Sequence, residues 1–121
     1  NQVTASMKAF FDRSSHFIHC KRLLGKYIVG VVSSGSGQDK GVLDYIEYYS
    51  HTCGAQYTGS VSSSVPISEG KKKTAFNLGE SLKQVIKDKR IFADQIKIIE
   101  SSRAHFKIVM EARKDEWHEE Y

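Results

Sequence analysis

The run Gly25-Lys26-Tyr27-Ile28-Val29-Gly30-Val31-Val32, followed at once by Ser33-Ser34-Gly35-Ser36-Gly37, constrains this chain more than any other feature. A nearly continuous β-branched apolar run predicts a strand covered on both faces, from Lys26 to Val32. Small residues leading toward a helical pattern then predict a strand–loop–helix unit of an α/β protein. Ligands of such proteins bind outside the carboxyl ends of the strands, so the Ser/Gly loop is the first candidate site.

The elements on either side follow from periodicity. Val3, Met7, Phe10 and Phe11 fall on one helical face, with Gln2 or Thr4 near its start and an end near Arg13 to Ser15. His16 to Leu24 reads as a loop. Val42, Leu43, Tyr45, Ile46 and Tyr49 predict a second helix, stopped by Gly54. Ala55 to Val61 is a second strand, interrupted by Gly59. Ser62 to Lys72, with the only proline, Pro66, reads as a loop, and Lys71-Lys72-Lys73 as its solvated part. A third helix carries Ala75, Leu78, Gly79, Leu82, Val85 and Ile86. A last helix spans about Asp94 to Glu116, with Ile96, Ile99, Phe106, Val109, Met110 and Trp117 inward.

Two strands joined by a helical crossover imply a right-handed parallel unit. Two strands are also few for helices on both faces. Together with a start at Asn1, already inside a helical pattern, this leads us to expect an incomplete α/β domain, completed by strands before Asn1 or from another chain.

Composition narrows the function classes. A net charge of +4 with a pI near 9.1 favours anionic partners without choosing among them. Cys20 and Cys53 form no CxxC pair, which removes zinc-ribbon and thioredoxin readings. Two cysteines and no leader pattern fit reduced thiols in the cytoplasm, and no apolar run is long enough for a membrane span. His16, His19 and Cys20 match no familiar metal spacing. His51, His105 and His118 read as solvent-facing. Ser33 and Ser62-Ser63-Ser64 lack the G-x-S-x-G context of a serine hydrolase. Tyr45, Tyr48 and Tyr49 read as core and interface residues, because Asp44 and Glu47 stand where a nucleic-acid surface would want basic residues.

The loop Gly35-Ser36-Gly37-Gln38-Asp39-Lys40-Gly41 is neither GxGxxG nor a P-loop, since Lys40 takes the third glycine's place and Gly41 follows it. It reads either as a backbone-amide site for polar ligand edges or as an ordinary βα turn.

Asn1 to Arg13, with its Met7-Lys8-Ala9-Phe10-Phe11-Asp12-Arg13 helix, resembles the segment of NADPH-dependent FMN reductases that follows their Ser-Pro-x-Tyr turn. Leu24-Gly25-Lys26 with the strand and Ser/Gly loop, then Cys53-Gly54 with the next strand, resemble later parts of that family in order. Phe106 to Tyr121, with Lys114-Asp115-Glu116-Trp117 and Glu119-Glu120-Tyr121, is similar to the C-terminal extension of some members, iron-sulfur flavoproteins included. The resemblance covers nearly the whole chain, and the ordered set is more specific than any one motif.

It implies a flavodoxin-like three-layer fold with a parallel sheet, of which residues 1–121 form the C-terminal part: two strands and about four helices, with 93–121 a helical extension. It further implies FMN as cofactor and NAD(P)H as co-substrate, the flavin mediating hydride or electron transfer to a small-molecule or protein acceptor. Asn1, Gln2, Val3 and Thr4 would border the flavin ring and ribityl chain. Ser33, Ser34, Gly35, Ser36 and Gly37 would offer amides to the pyrimidine edge. No side chain is implied as catalytic acid or base and none as a metal ligand, and an iron-sulfur cluster would need cysteines upstream. Members are commonly homodimers or homotetramers, acting without nucleic acid or membrane. The Tyr45 to Tyr49 helix and the last helix are the candidates for the subunit contact. The alternatives are an electron-transferring iron-sulfur flavoprotein and a non-enzymatic interaction domain of the same fold.

Overall fold

Thr4 starts the first helix by accepting the Met7 amide on its Oγ1 at 3.3 Å, the usual work of an N-cap threonine. The computed structural model describes residues 2–114. Its elements run α1 (Ala5–Arg13), α2 (Ser15–His19), β1 (Tyr27–Ser34), α3 (Lys40–Cys53), β2 (Gln56–Ser64), α4 (Glu69–Asp88) and α5 (Ala93–Ala112). The protein is therefore α/β, with a two-stranded parallel sheet among the described residues and five helices rather than about four.

The register explains how so small a sheet carries helices on both faces. Ile28 pairs with Tyr57, but Gly30 pairs with Ser60, so β2 holds one extra residue there. Gly59 occupies this bulge at φ +139°, a conformation L side chains rarely adopt. The bulge puts Tyr57 and Ser60 on the same face, and Gly59 on the other. A methyl group on Gly59 would come within 2.9 Å of Leu78 Cδ1 on α4. One on Gly30 would overlap Tyr57 Oη and approach Leu43 Cδ2 on α3 to 3.0 Å. The two strand glycines thus mark where α3 and α4 press on opposite faces. Strand glycine of this kind signals close approach, not weak pairing.

On the α3 side, the core centres on Phe11, Tyr49 and Cys53, with Val3, Phe17, Ile18, Leu23 and Ile46 around them. The Phe11 and Tyr49 rings lie 4.4 Å apart, and Tyr49 Oη meets Ser14 Oγ at 2.7 Å, so the buried phenol is satisfied. On the other side, α4 presents Val85, buried, and Leu78 and Leu82, half-buried, at i, i+4 and i+7, whereas Ile86 is exposed.

Several expectations are corrected. His16 to Leu24 is not all loop, because α2 forms inside it and its terminal turn is closed by Arg22 N–H to Phe17 O at 3.1 Å. The Ser62 to Lys72 loop shrinks from both ends, with β2 running to Ser64 and α4 starting at Glu69 behind the Ser68 cap, whose Oγ accepts the Lys71 amide at 3.2 Å. Lys71-Lys72-Lys73 is therefore the first turns of α4, not a loop. Of the predicted α1 face, only Phe11 is buried, and Met7 and Phe10 are exposed. Gly54 ends α3 in the left-handed conformation, as expected of that stop. Ile99 and Met110 on α5 are buried, while Trp117 and His118 lie outside the described residues.

One buried charge joins the helices. Lys21 is 3% exposed, and its Nζ donates to Ile18 O at 2.9 Å, Thr52 O at 2.7 Å and Ser102 Oγ at 2.9 Å. Its ammonium also lies 4.4 Å from the centre of the Phe106 ring. Two of the acceptors are carbonyls in the last turns of α2 and α3, where the helix dipole is negative. Burial holds the Lys21 pKa below its ordinary 10.5.

We expect Gly30→Ala to destabilise the fold by about 3 kcal/mol through overpacking, with Tyr57→Phe in the same chain restoring part of the loss, measured by chemical denaturation. Lys21→Met should cost about 2 to 4 kcal/mol, because it leaves two buried helix-end carbonyls without their donor. Burial raises the Cys53 thiol above its ordinary 9.0, so the folded chain keeps a proton there that the unfolded chain releases. Its contribution is complete below pH 9.0 and declines as pH rises through the folded pKa. In the native protein at neutral pH, a disulfide reagent should therefore modify half-buried Cys20 and spare Cys53 until denaturant is added.

Candidate functional site

The carboxyl end of β1 and the start of α1 meet across a cavity of about 280 Å³. Gln2, Val3, Thr4 and Met7 line one wall. Val31, Val32, Ser33 and Ser34 line the strand side, and Asp39, Val42 and Ile46 close it from α3. Gln2, Val3 and Val42 also border a second hollow of about 330 Å³ with Lys8, Gly41 and Tyr45, so the two adjoin.

The structure thus brings Gln2, Val3, Thr4, Ser33 and Ser34 together. Asn1 lies outside the described residues. Gly35 and Ser36 are exposed and line neither hollow. Gly37 lines a different cavity, of about 410 Å³, on the β2 side, with Lys40, Asp44, Glu47, Tyr57 and Ser60.

The loop amides are less available than the sequence suggests. Gly37 N–H is donated to Ser34 Oγ at 3.0 Å, and Gln38 N–H reaches Ser36 Oγ at 3.5 Å. These are serine turns of a kind that compete with other uses of the backbone. They fix the loop's shape and take the Gly37 amide out of the set offered to a ligand.

Asp39 was not singled out by the sequence reading, although an Asp directly before a helical pattern is an N-cap signal. It is 3% exposed, stands at the N-cap of α3, makes no capping hydrogen bond with its side chain, and lines both the 280 Å³ and the 410 Å³ cavities. Among the described residues lining the 280 Å³ cavity it is the one charged side chain, and none is a lysine or arginine. An acidic group at this helix start opposes the phosphate binding that a bare helix N-terminus would favour. The chemistry of the lining instead suits an uncharged, partly apolar group with hydrogen-bonding edges: valine and isoleucine walls, three hydroxyls and one acidic acceptor.

Two further side chains stand apart from the predicted roles. His51, expected to face solvent, is half-buried, with Nε2 2.6 Å from Gln95 Oε1. Gln95 in turn accepts Tyr57 N–H at 2.7 Å and donates to Tyr57 O at 2.8 Å, pairing α5 with the outer edge of β2. Among the described residues no group of three or more His, Cys, Asp or Glu could hold a metal ion, and no helix is long and apolar enough to cross a membrane.

Ser34→Ala should cost about 1 kcal/mol through the lost serine turn and should speed hydrogen exchange at the Gly37 amide, read by NMR. Comparison with protein-family models, curated proteins and solved structures finds no match to this chain.

Proposed function

We propose that this chain provides the ring-binding part of an FMN site in an NAD(P)H-dependent oxidoreductase of flavodoxin-like fold. The observation that carries the reading is the shared cavity: Gln2, Val3 and Thr4 from ahead of α1 meet Ser33 and Ser34 from the end of β1. These are segments that the resemblance assigns to one flavin.

The lining fits a flavin ring better than a phosphate. Val31, Val32, Val42 and Ile46 would shield a bound flavin ring from water, and the hydroxyls of Thr4, Ser33 and Ser34 would hydrogen-bond its polar groups. Asp39 would set an acidic group beside the ring and against a phosphoryl group. The hydride or electron chemistry is supplied by the flavin when bound. The chain's own residues bind and orient it, and none is assigned a role as catalytic acid or base.

A specific observation also favours a contact role for the α1 and α3 surface. Phe10 is 54% and Tyr48 69% exposed, with Met7 and Tyr45 also open to solvent. Aromatic side chains and methionine are enriched at protein–protein interfaces. We assign this face to a homodimer contact, in keeping with the oligomers the resemblance implies.

Titration with FMN and with riboflavin, followed by flavin fluorescence, tests the ring-binding reading. Both should be quenched with affinities within roughly threefold of each other, since none of the described residues lining the 280 Å³ cavity is a cation to reward the phosphate. NADPH should bleach the bound flavin. Absence of quenching with either flavin overturns the reading. In sedimentation velocity, Phe10→Glu with Tyr48→Glu should shift a dimeric chain to monomer, and a wild-type monomer would remove the contact assignment.

A further inference from the structure

A cluster of positive charge surrounds a cavity near the start of β1, away from the Ser/Gly loop. A hollow of about 420 Å³ opens between the turn after α2 and the outer face of α5. It is lined by His19, Cys20, Lys21 and Arg22 on one side and by Arg103, Lys107 and Met110 on the other.

Three features make this a built arrangement. First, Arg103, Lys107 and Met110 fall at i, i+4 and i+7, so α5 turns two cations and one apolar residue to the same wall. Like charges at i, i+4 disfavour a helix unless something of opposite charge lies between them. Second, among the described residues that line the cavity none is acidic. Glu100 Oε1 lies 3.9 Å from Arg103 Nη1 with both side chains 58% exposed, a contact that screens little. Arg22 and Lys107 form no ion pair among the described residues. Third, the turn carrying Arg22 is held rigidly: Arg22 N–H bonds Phe17 O at 3.1 Å, Leu23 N–H bonds Cys53 O at 3.0 Å, and Leu24 N–H bonds Lys21 O at 3.1 Å.

Lys21 has a separate part. Its three hydrogens are spent on Ile18, Thr52 and Ser102. It therefore contributes positive field from beneath the cavity without contacting a ligand, and it offsets the negative helix ends that would otherwise repel an anion there. The exposed groups are two guanidinium forks and one ammonium. Guanidinium forks match phosphoryl oxygens bidentately, and an ammonium adds a point charge. Met110 adds an apolar contact beside them, and the His19 ring packs edge-on to Phe106 at 5.2 Å.

We propose that this cavity binds a polyphosphate-bearing small molecule, its phosphoryl groups held between Arg22, Arg103 and Lys107. The assignment does not rest on the flavin reading, since the two cavities share no lining residue.

The test is calorimetric titration of the full chain with sodium pyrophosphate at constant ionic strength, with chloride as the matched control. Saturable one-to-one binding is expected. Arg103→Gln with Lys107→Gln should weaken it by about tenfold or more. Both side chains are exposed, so the variant's unfolding transition should match wild type. Arg22→Gln provides an independent loss from the other wall. Lys71→Gln with Lys72→Gln, on the exposed first turns of α4, should leave binding unchanged. The proposal is overturned if pyrophosphate binds no better than chloride, or if the α4 variant loses as much affinity as the Arg103/Lys107 variant. It is also overturned if a single-stranded oligonucleotide binds through Arg22, Arg103 and Lys107 while pyrophosphate does not.

Discussion

An ammonium group with no carboxylate partner holds the helical side of this protein together. Lys21 sits where α2 ends, and it reaches the last turn of α3 and the middle of α5. Each of its three hydrogens finds an acceptor, and the Phe106 ring takes the remaining side. A buried lysine is costly unless its donors are matched in this way. Here the match is made chiefly by helix-end carbonyls, which themselves lack partners within their helices. One side chain thus settles two debts of the fold: the orphan carbonyls of α2 and α3, and the placement of α5 against them.

The sheet depends on a different kind of fit. The extra residue in β2 turns Tyr57 toward Gly30, and the phenol occupies the space a side chain on Gly30 would need. Burial pushes the Tyr57 phenol above its ordinary pKa. The same bulge gives α4 its seat, through Gly59 and Leu78. A single local irregularity therefore sets the distance of both helix layers from a sheet only two strands wide among the described residues.

Much of this was legible in the sequence, and the failures share a cause. The strand at Tyr27 was visible as a continuous β-branched run, the Gly54 stop as a left-handed cap, and the Leu78-Leu82-Val85 stripe as a helical period; the run's implied cover on both faces was not met, since Val31 is 67% exposed. The α2 helix was not, since its five residues include two histidines and no full turn of apolar spacing. The start of α4 was hidden by three consecutive lysines, which solvate a helix as readily as a loop. At the candidate cavity, the loop and the α1 start were found from small residues and from the resemblance. Asp39 was missed because its burial arises only when α3 docks. Lys21 and Gln95 were missed for a related reason: both are polar residues whose partners lie far along the chain, and no local pattern announces such a bond.

Gln95 has a consequence for the sheet as a whole. Its amide takes both the N–H and the C=O that Tyr57 turns away from β1, and His51 steadies the same oxygen. A second molecule approaching that side to add a strand would first have to evict a side chain already behaving as one rung of a ladder. Edge protection is commonly built from charge, proline or bulges. In this protein a neutral amide supplied by a helix acts as a plug, so lengthening of the sheet by edge-to-edge association is obstructed at the start of β2.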